Sequence, residues 1–125
     1  MNSTEMKIRT KAFALRVIKL VGALPRTPEA QAIARQLSRS GPSVGANYRS
    51  ACRARSRAEF IAKLGIVEEE ADESAFWMEL IMESGMLPQA QVKPLHAEAD
   101  ELVAITVASK KTAREAASRS DIRIP

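Results

Sequence analysis

Apolar residues return every three or four positions along four separate stretches of this chain, and proline or glycine closes each stretch. Met6, Phe13, Val17, Leu20 and Leu24 share one face of a 3.6-residue repeat, which predicts a first amphipathic helix over Thr4–Leu24. Leu24-Pro25 ends it, because the proline ring disfavours helical backbone in the residue before it. Thr27 then offers an N-cap oxygen and Pro28 a first helical position where a missing N–H costs nothing, so a second helix is expected from Pro28 to about Ala54. Gly41-Pro42 lies inside it and predicts a kink there, or a split into two shorter helices.

Ser56-Arg57-Ala58-Glu59 reads as a capping box, with Ser56 accepting from the Glu59 amide while the Glu59 side chain reaches back. The third helix, Arg57–Ser84, carries Phe60, Leu64, Val67, Ala71, Ala75, Met78 and Met82 on one face. Gly85 serves as its C-terminal cap and Pro88 prevents continuation. A fourth helix begins between Gln91 and Leu95 and fades near Ala117, which makes residues 1–117 the bundle and residues 118–125 a frayed tail. No Val/Ile/Thr run alternates with polar residues, so strands have no support. The expected fold is all-α: an antiparallel up-down-up-down four-helix bundle, helix 2 kinked near Gly41-Pro42.

Two apolar stripes are left over once each helix has buried one face. Ile66, Trp77 and Leu80 lie away from the Phe60–Met78 face of the third helix, and Val103 and Val107 turn away from Leu102 on the fourth. A second stripe that includes the only tryptophan predicts a subunit interface, and hence a homo-oligomer.

Charge sharpens this picture. Between Ala30 and Ala58 there are six arginines (Arg35, Arg39, Arg49, Arg53, Arg55, Arg57) and no acidic residue. From Glu59 to Glu83 there are eight acids against Lys63 alone. The net charge of +4 hides this segregation, which suits either binding of a polyanion or stacking of copies basic side to acidic side. Arg49, Arg53 and Arg57 follow i, i+4, i+8 spacing, and guanidinium forks match phosphate geometry. The competing expectation is that these arginines pair with acids of the third helix, within or between chains, in a protein-interaction scaffold.

Catalytic chemistry finds little footing. One histidine, His96, with Lys93 three residues earlier, excludes the Glu-x-x-His pairs of carboxylate-bridged metal bundles. Glu69 and Glu73 share a face, as do Glu70 and Ser74, without histidine help, so no metal and no cofactor is expected. Cys52 sits among Arg49, Arg53 and Arg55, but a small buried thiol is the commoner role. No glycine-rich phosphate loop occurs. The expectation is a non-enzyme. A lone cysteine, no signal-like N-terminus and no apolar stretch near the roughly 20 residues of a membrane span point to the cytoplasm. Ile33 to Arg49 also imitates a helix-turn-helix, with Gly41-Pro42 as its turn, which leaves a DNA-binding module as a further alternative.

The segment Gln36-Leu37-Ser38-Arg39 through Ser43-Val44-Gly45-Ala46-Asn47, followed by Ser56 and Glu59-Phe60-Ile61-Ala62-Lys63-Leu64 and by the run Glu68 to Ser74, resembles a bacterial family. It is the four-helix-bundle family of proteins encoded inside intervening sequences of large-subunit ribosomal RNA. The resemblance extends from Lys11 to about Leu102. It implies an up-down bundle assembled as a ring-like homopentamer, and kinship with the accessory variability protein of diversity-generating retroelements, which binds nucleic acid and its reverse transcriptase. Two positions depart from the family pattern: Gly45 stands where members often carry proline, and Arg49-Ser50-Ala51-Cys52-Arg53 replaces a Glu-Gly continuation. Within the shared motif, Ser43 and Asn47 lie i, i+4 on one face beside a backbone irregularity, where Pro42 leaves the Ser38 carbonyl without its usual partner, and Asn47 is expected to bond a neighbouring helix and set register.

Overall fold

The computed structural model describes residues 1–123. Four helices follow in order: α1 (Ser3–Gly22), α2 (Pro28–Cys52), α3 (Arg57–Glu83) and α4 (Gln89–Arg123). Each of the first three begins where a side-chain oxygen meets an otherwise orphaned amide. Asn2 Oδ1 accepts from Glu5 N at 2.8 Å, Thr27 Oγ1 from Ala30 N at 3.3 Å, and Ser56 Oγ from Glu59 N at 3.1 Å. The Glu59 carboxylate does reach back, though to the Arg55 amide at 3.3 Å and not to that of Ser56.

Gly85 closes α3 as expected. Its φ of 75° lies in the left-handed region that a side chain disfavours. The Met86 amide bonds the Ile81 carbonyl at 3.1 Å and the Gly85 amide bonds that of Met82 at 3.2 Å, the paired bonds of a Schellman cap. α4 starts two residues earlier than expected and continues through Ala117 to Arg123, because Ala113, Ala116 and Ala117 favour helix more than the interspersed serines oppose it. Residues 124 and 125, the end of the expected tail, lie outside the described residues.

α2 is one helix and not two: Pro42 lies within it, and the chain runs unbroken from Pro28 to Cys52. The Gly41-Pro42 step is therefore no turn between a pair of short helices, and the helix-turn-helix alternative fails on this point. Ser43 and Asn47 take up backbone capacity on their own helix. Ser43 Oγ donates to the Arg39 carbonyl at 2.6 Å, and Asn47 Nδ2 to the Ser43 carbonyl at 2.8 Å. The expected bond from Asn47 to another helix is thus replaced by an i−4 bond within α2.

Sequential helices pack in turn and α4 returns to α1, while the diagonal pairs α1–α3 and α2–α4 do not meet among the described residues. The core lies between all four. Phe13, Val17, Leu37, Val44, Leu64, Val67, Met78, Ile81, Val92 and Leu102 are closed to solvent, and Phe60 and Met82 are half-buried against them. Thr10 and Thr106 enter this core by donating their hydroxyls to Met6 O and Leu102 O, at 2.9 and 2.7 Å. Two glycines set the α1–α2 separation. A Cβ on Gly41 would stand 2.7 Å from Val17 Cγ1, and one on Gly45 would stand 3.3 Å from Thr10 Oγ1. Close approach here brings the first turns of α1 beside the last turns of α2.

Candidate nucleic-acid interface

The six arginines of the basic segment divide by what they touch. Arg39 is committed: its Nη2 meets Glu73 Oε2 at 2.6 Å and its Nη1 meets Glu70 Oε1 at 3.4 Å, across the α2–α3 seam. The bond to Glu73, then the charge of Glu70, raise its pKa above the usual guanidinium value. A phosphate at Arg39 would have to compete with these two carboxylates. Arg35, Arg49, Arg53 and Arg55 are exposed and form no side-chain ion pair among the described residues. Arg53 is the C-cap of α2, Arg55 lies in the connection, and Arg57 opens α3. The expected Arg49–Arg53–Arg57 stripe is therefore not one helix face: α2 stops at Cys52, and the stripe survives only as Arg49 and the cap residue that follows it.

Two lysines of α1 extend this set. A shallow groove between α1 and α2 is lined by Ile8, Ala14, Pro42 and Ala46, by the buried Thr10 and Gly45, and by Lys7, Lys11 and Arg49, with no carboxylate in its lining. Sequence spacing alone does not join Lys7 and Lys11 to Arg49; the glycines at Gly41 and Gly45 do, by drawing the antiparallel helices together. Those two glycines four residues apart were the available signal. At the same level Lys63 Nζ turns inward to Ser50 Oγ at 2.5 Å and is spent on α2–α3 packing.

Other charges are also spent internally. Arg9 forks onto Glu98 through two bonds of 2.7 Å and also bonds Glu101, tying α1 to α4. The Arg9 hydrogen bond holds the Glu98 carboxyl below the usual carboxylate range despite partial burial, which acts in the opposite sense. Lys110 Nζ holds Glu68 Oε1 at 2.6 Å. His96 Nε2 lies 2.8 Å from Glu79 Oε2, bridging α4 to α3.

No group of three His, Cys, Asp or Glu side chains is gathered as cation ligands among the described residues. Cys52 is half-buried beside Tyr48, whose phenol is pushed up to about 12, first by burial and then by the thiol. His96 is engaged with Glu79 and does not bond this thiol. No helix among the described residues is long and apolar enough to cross a membrane.

The expected interface residues stand outside the core to differing degrees. Ile66 and Val107 are exposed, whereas Leu80 and Val103 are half-buried. Trp77 packs on the core edge with its ring edge-on to Phe76, centroids 5.1 Å apart, and its indole N–H is closed off from solvent without an acceptor.

A family model described as "23S rRNA-intervening sequence protein" matches residues 3–108. Among solved structures, the chain is similar to a protein with unknown function from the S23 ribosomal protein family of Bacteroides thetaiotaomicron VPI-5482, a crystal structure at 1.70 Å resolution. The two share 32% identity and a TM-score of 0.82 over 89% of this chain and 99% of that one. No curated protein matches the sequence.

Proposed function

Given that the chain belongs to the 23S rRNA-intervening sequence protein family, we propose that it is a non-catalytic, homo-oligomeric bundle that binds RNA or DNA from the cytoplasm of its cell. The binding surface is the α2 exit, Arg49, Arg53 and Arg55, widened by Lys7 and Lys11 of α1. One observation supports this reading: these guanidinium groups are exposed and form no ion pair among the described residues, whereas Arg9 and Arg39 have taken carboxylate partners. Phosphate oxygens then meet them without displacing an existing ion pair. The one uncharged hydroxyl of the groove, that of Thr10, already donates to the Met6 carbonyl, so recognition is sequence-tolerant and electrostatic.

The double variant Arg49→Ala/Arg53→Ala tests this directly by fluorescence polarisation with single-stranded RNA and duplex DNA. Unchanged affinity for both would remove the proposal. A scaffold reading keeps one specific support, the Arg39–Glu70–Glu73 cluster, which shows that basic and acidic segments of this chain do pair. Reversing charge at Glu69 and Asp72 separates the two in sedimentation. Loss of assembly with nucleic-acid binding absent throughout favours the scaffold.

A further inference from the structure

α1 and α4 pack less closely than the other neighbouring helices, and the two ends of their seam differ in charge. At one end Arg9 finds Glu98 and Glu101, and its fork closes the gap. Toward the last turn of α1 the chain presents Arg16, Lys19, Leu20 and Ala23, at the i, i+3, i+4, i+7 spacing of one helical stripe. α4 answers there with Gln91 and Leu95, one turn apart. No acidic residue lies between Gln89 and Ala97 on α4, nor on α1 after Glu5. Arg16 and Lys19 are exposed and form no ion pair among the described residues. The Glu98 carboxylate is held first by its Arg9 hydrogen bond and feels Arg16 only as a weaker, non-bonded charge.

Between the two stripes lies a cleft of about 500 Å³, lined by those residues and by Gly22. Leu20 and Leu95 are buried and form its apolar wall, while Gly22 and Ala23 are too small to fill it. The cleft lies at the opposite end of the bundle from Arg49, Arg53 and Arg55, since α1 ends where α2 begins and those arginines follow the end of α2. Charge narrows the occupant. Two cations without a carboxylate match a phosphate monoester, which carries about −1.5 to −2 near neutral pH. Arg16 offers a planar fork, Lys19 a point charge and Gln91 a neutral amide donor, enough for the three terminal oxygens of such a group. A carboxylate, with one charge, would leave one of the two cations unmatched. The volume falls in the range of small-molecule sites, and the leucine wall favours an apolar body.

We propose that this cleft binds a small organic phosphate monoester, with the phosphate on Arg16, Lys19 and Gln91 and an apolar body against Leu20 and Leu95. The bound phosphate does for Arg16 what Glu98 and Glu101 do for Arg9, and ties α1 to α4 at the end of the seam that lacks an ion pair among the described residues. The site is separate from the α2 exit and does not depend on nucleic-acid binding.

Phenyl phosphate is the probe, titrated into the full chain and followed by amide chemical shifts. Inorganic phosphate and phenol serve as its two halves, and benzoate as its singly charged counterpart. Phenyl phosphate is expected to saturate shifts at Arg16–Ala23 and Gln91–Leu95, and to bind more tightly than the other three. Arg16→Gln/Lys19→Gln changes two exposed positions, so its helical circular dichroism should match wild type while its affinity falls at least about tenfold. Gln91→Glu keeps both cations but adds a carboxylate to the lining, and should weaken binding too. Arg49→Ala/Arg53→Ala should bind the probe as wild type does. No saturable binding, equal binding of inorganic phosphate, phenol or benzoate, or unchanged affinity in either cleft variant overturns the proposal. Loss of binding in Arg49→Ala/Arg53→Ala overturns it as well, by placing the probe at the α2 exit. None of these results bears on nucleic-acid affinity, which has its own measurement.

Discussion

The Ser74 hydroxyl donates to the Ser40 hydroxyl at 2.9 Å across the α2–α3 seam, with both side chains fully buried. The Glu70 carbonyl lies 2.8 Å from the same Ser74 oxygen, so the one Ser74 proton is shared between two acceptors, whereas Ser40 has no other side-chain partner among the described residues. This pair, one residue before Gly41-Pro42, sets the α2–α3 register that the sequence reading had given to Asn47. Ser74→Ala strands a buried hydroxyl at Ser40 and is expected to cost about 1–3 kcal/mol in urea denaturation. Ser40→Ala/Ser74→Ala removes both polar groups and should recover most of that loss. A double variant that costs the sum of the singles would show that the two hydroxyls act independently.

Glycines at two places in the bundle should respond to alanine with opposite signs. At Gly41 the new methyl would press on Val17, itself fully buried, and overpacking of this kind costs about 1–3 kcal/mol. At Gly65, inside α3, nothing lies within 4 Å of the added carbon, so Gly65→Ala should stabilise by up to about 1 kcal/mol through helix propensity. Thermal melts of the two variants decide the matter. A gain at Gly41 would mean that α1 and α2 are not held as close as described.

Acid should loosen the α1–α4 seam. Arg9 lowers the folded-state pKa of Glu98 below its unfolded value, so the stabilisation is present above the ordinary carboxylate pKa of 4.5 and is lost as pH falls through the lower folded value. Glu98→Gln is expected to melt below wild type at neutral pH, and the gap between the two should narrow as the solution is acidified past that range. A gap that is constant with pH would show that the Arg9–Glu98 fork contributes nothing specific to the ionised form.

Much of the fold was legible because its signals are local. Thr27-Pro28, Ser56-Arg57-Ala58-Glu59 and Gly85 each act on the backbone within one turn, and the Phe13–Val17–Leu20 and Leu64–Val67–Ala71 faces follow helical period. What escaped depends on which helices become neighbours. Arg39 and Arg49 look alike in a sequence and both are exposed, yet the seam with α3 gives one of them two carboxylates and leaves the other without an ion pair among the described residues. Lys7 and Lys11 join Arg49 only through the close α1–α2 approach, and the stripe of Ile8, Leu15 and Ile18 stands out as surplus only once Phe13 and Val17 are known to fill the core. The persistence of Pro42 within an unbroken α2 has the same origin: packing on both sides holds a helix that local preference alone would divide.

The salt dependence of nucleic-acid affinity bears most directly on the claim that unpaired arginines at the α2 exit take phosphates. For the wild type, the logarithm of affinity should fall linearly with the logarithm of salt concentration, since each neutralised phosphate of a duplex contributes about 0.9 to the slope. Arg49→Ala/Arg53→Ala should make that slope shallower by up to about 2 and weaken binding uniformly across sequences. An identical slope and affinity in wild type and double variant would contradict the account.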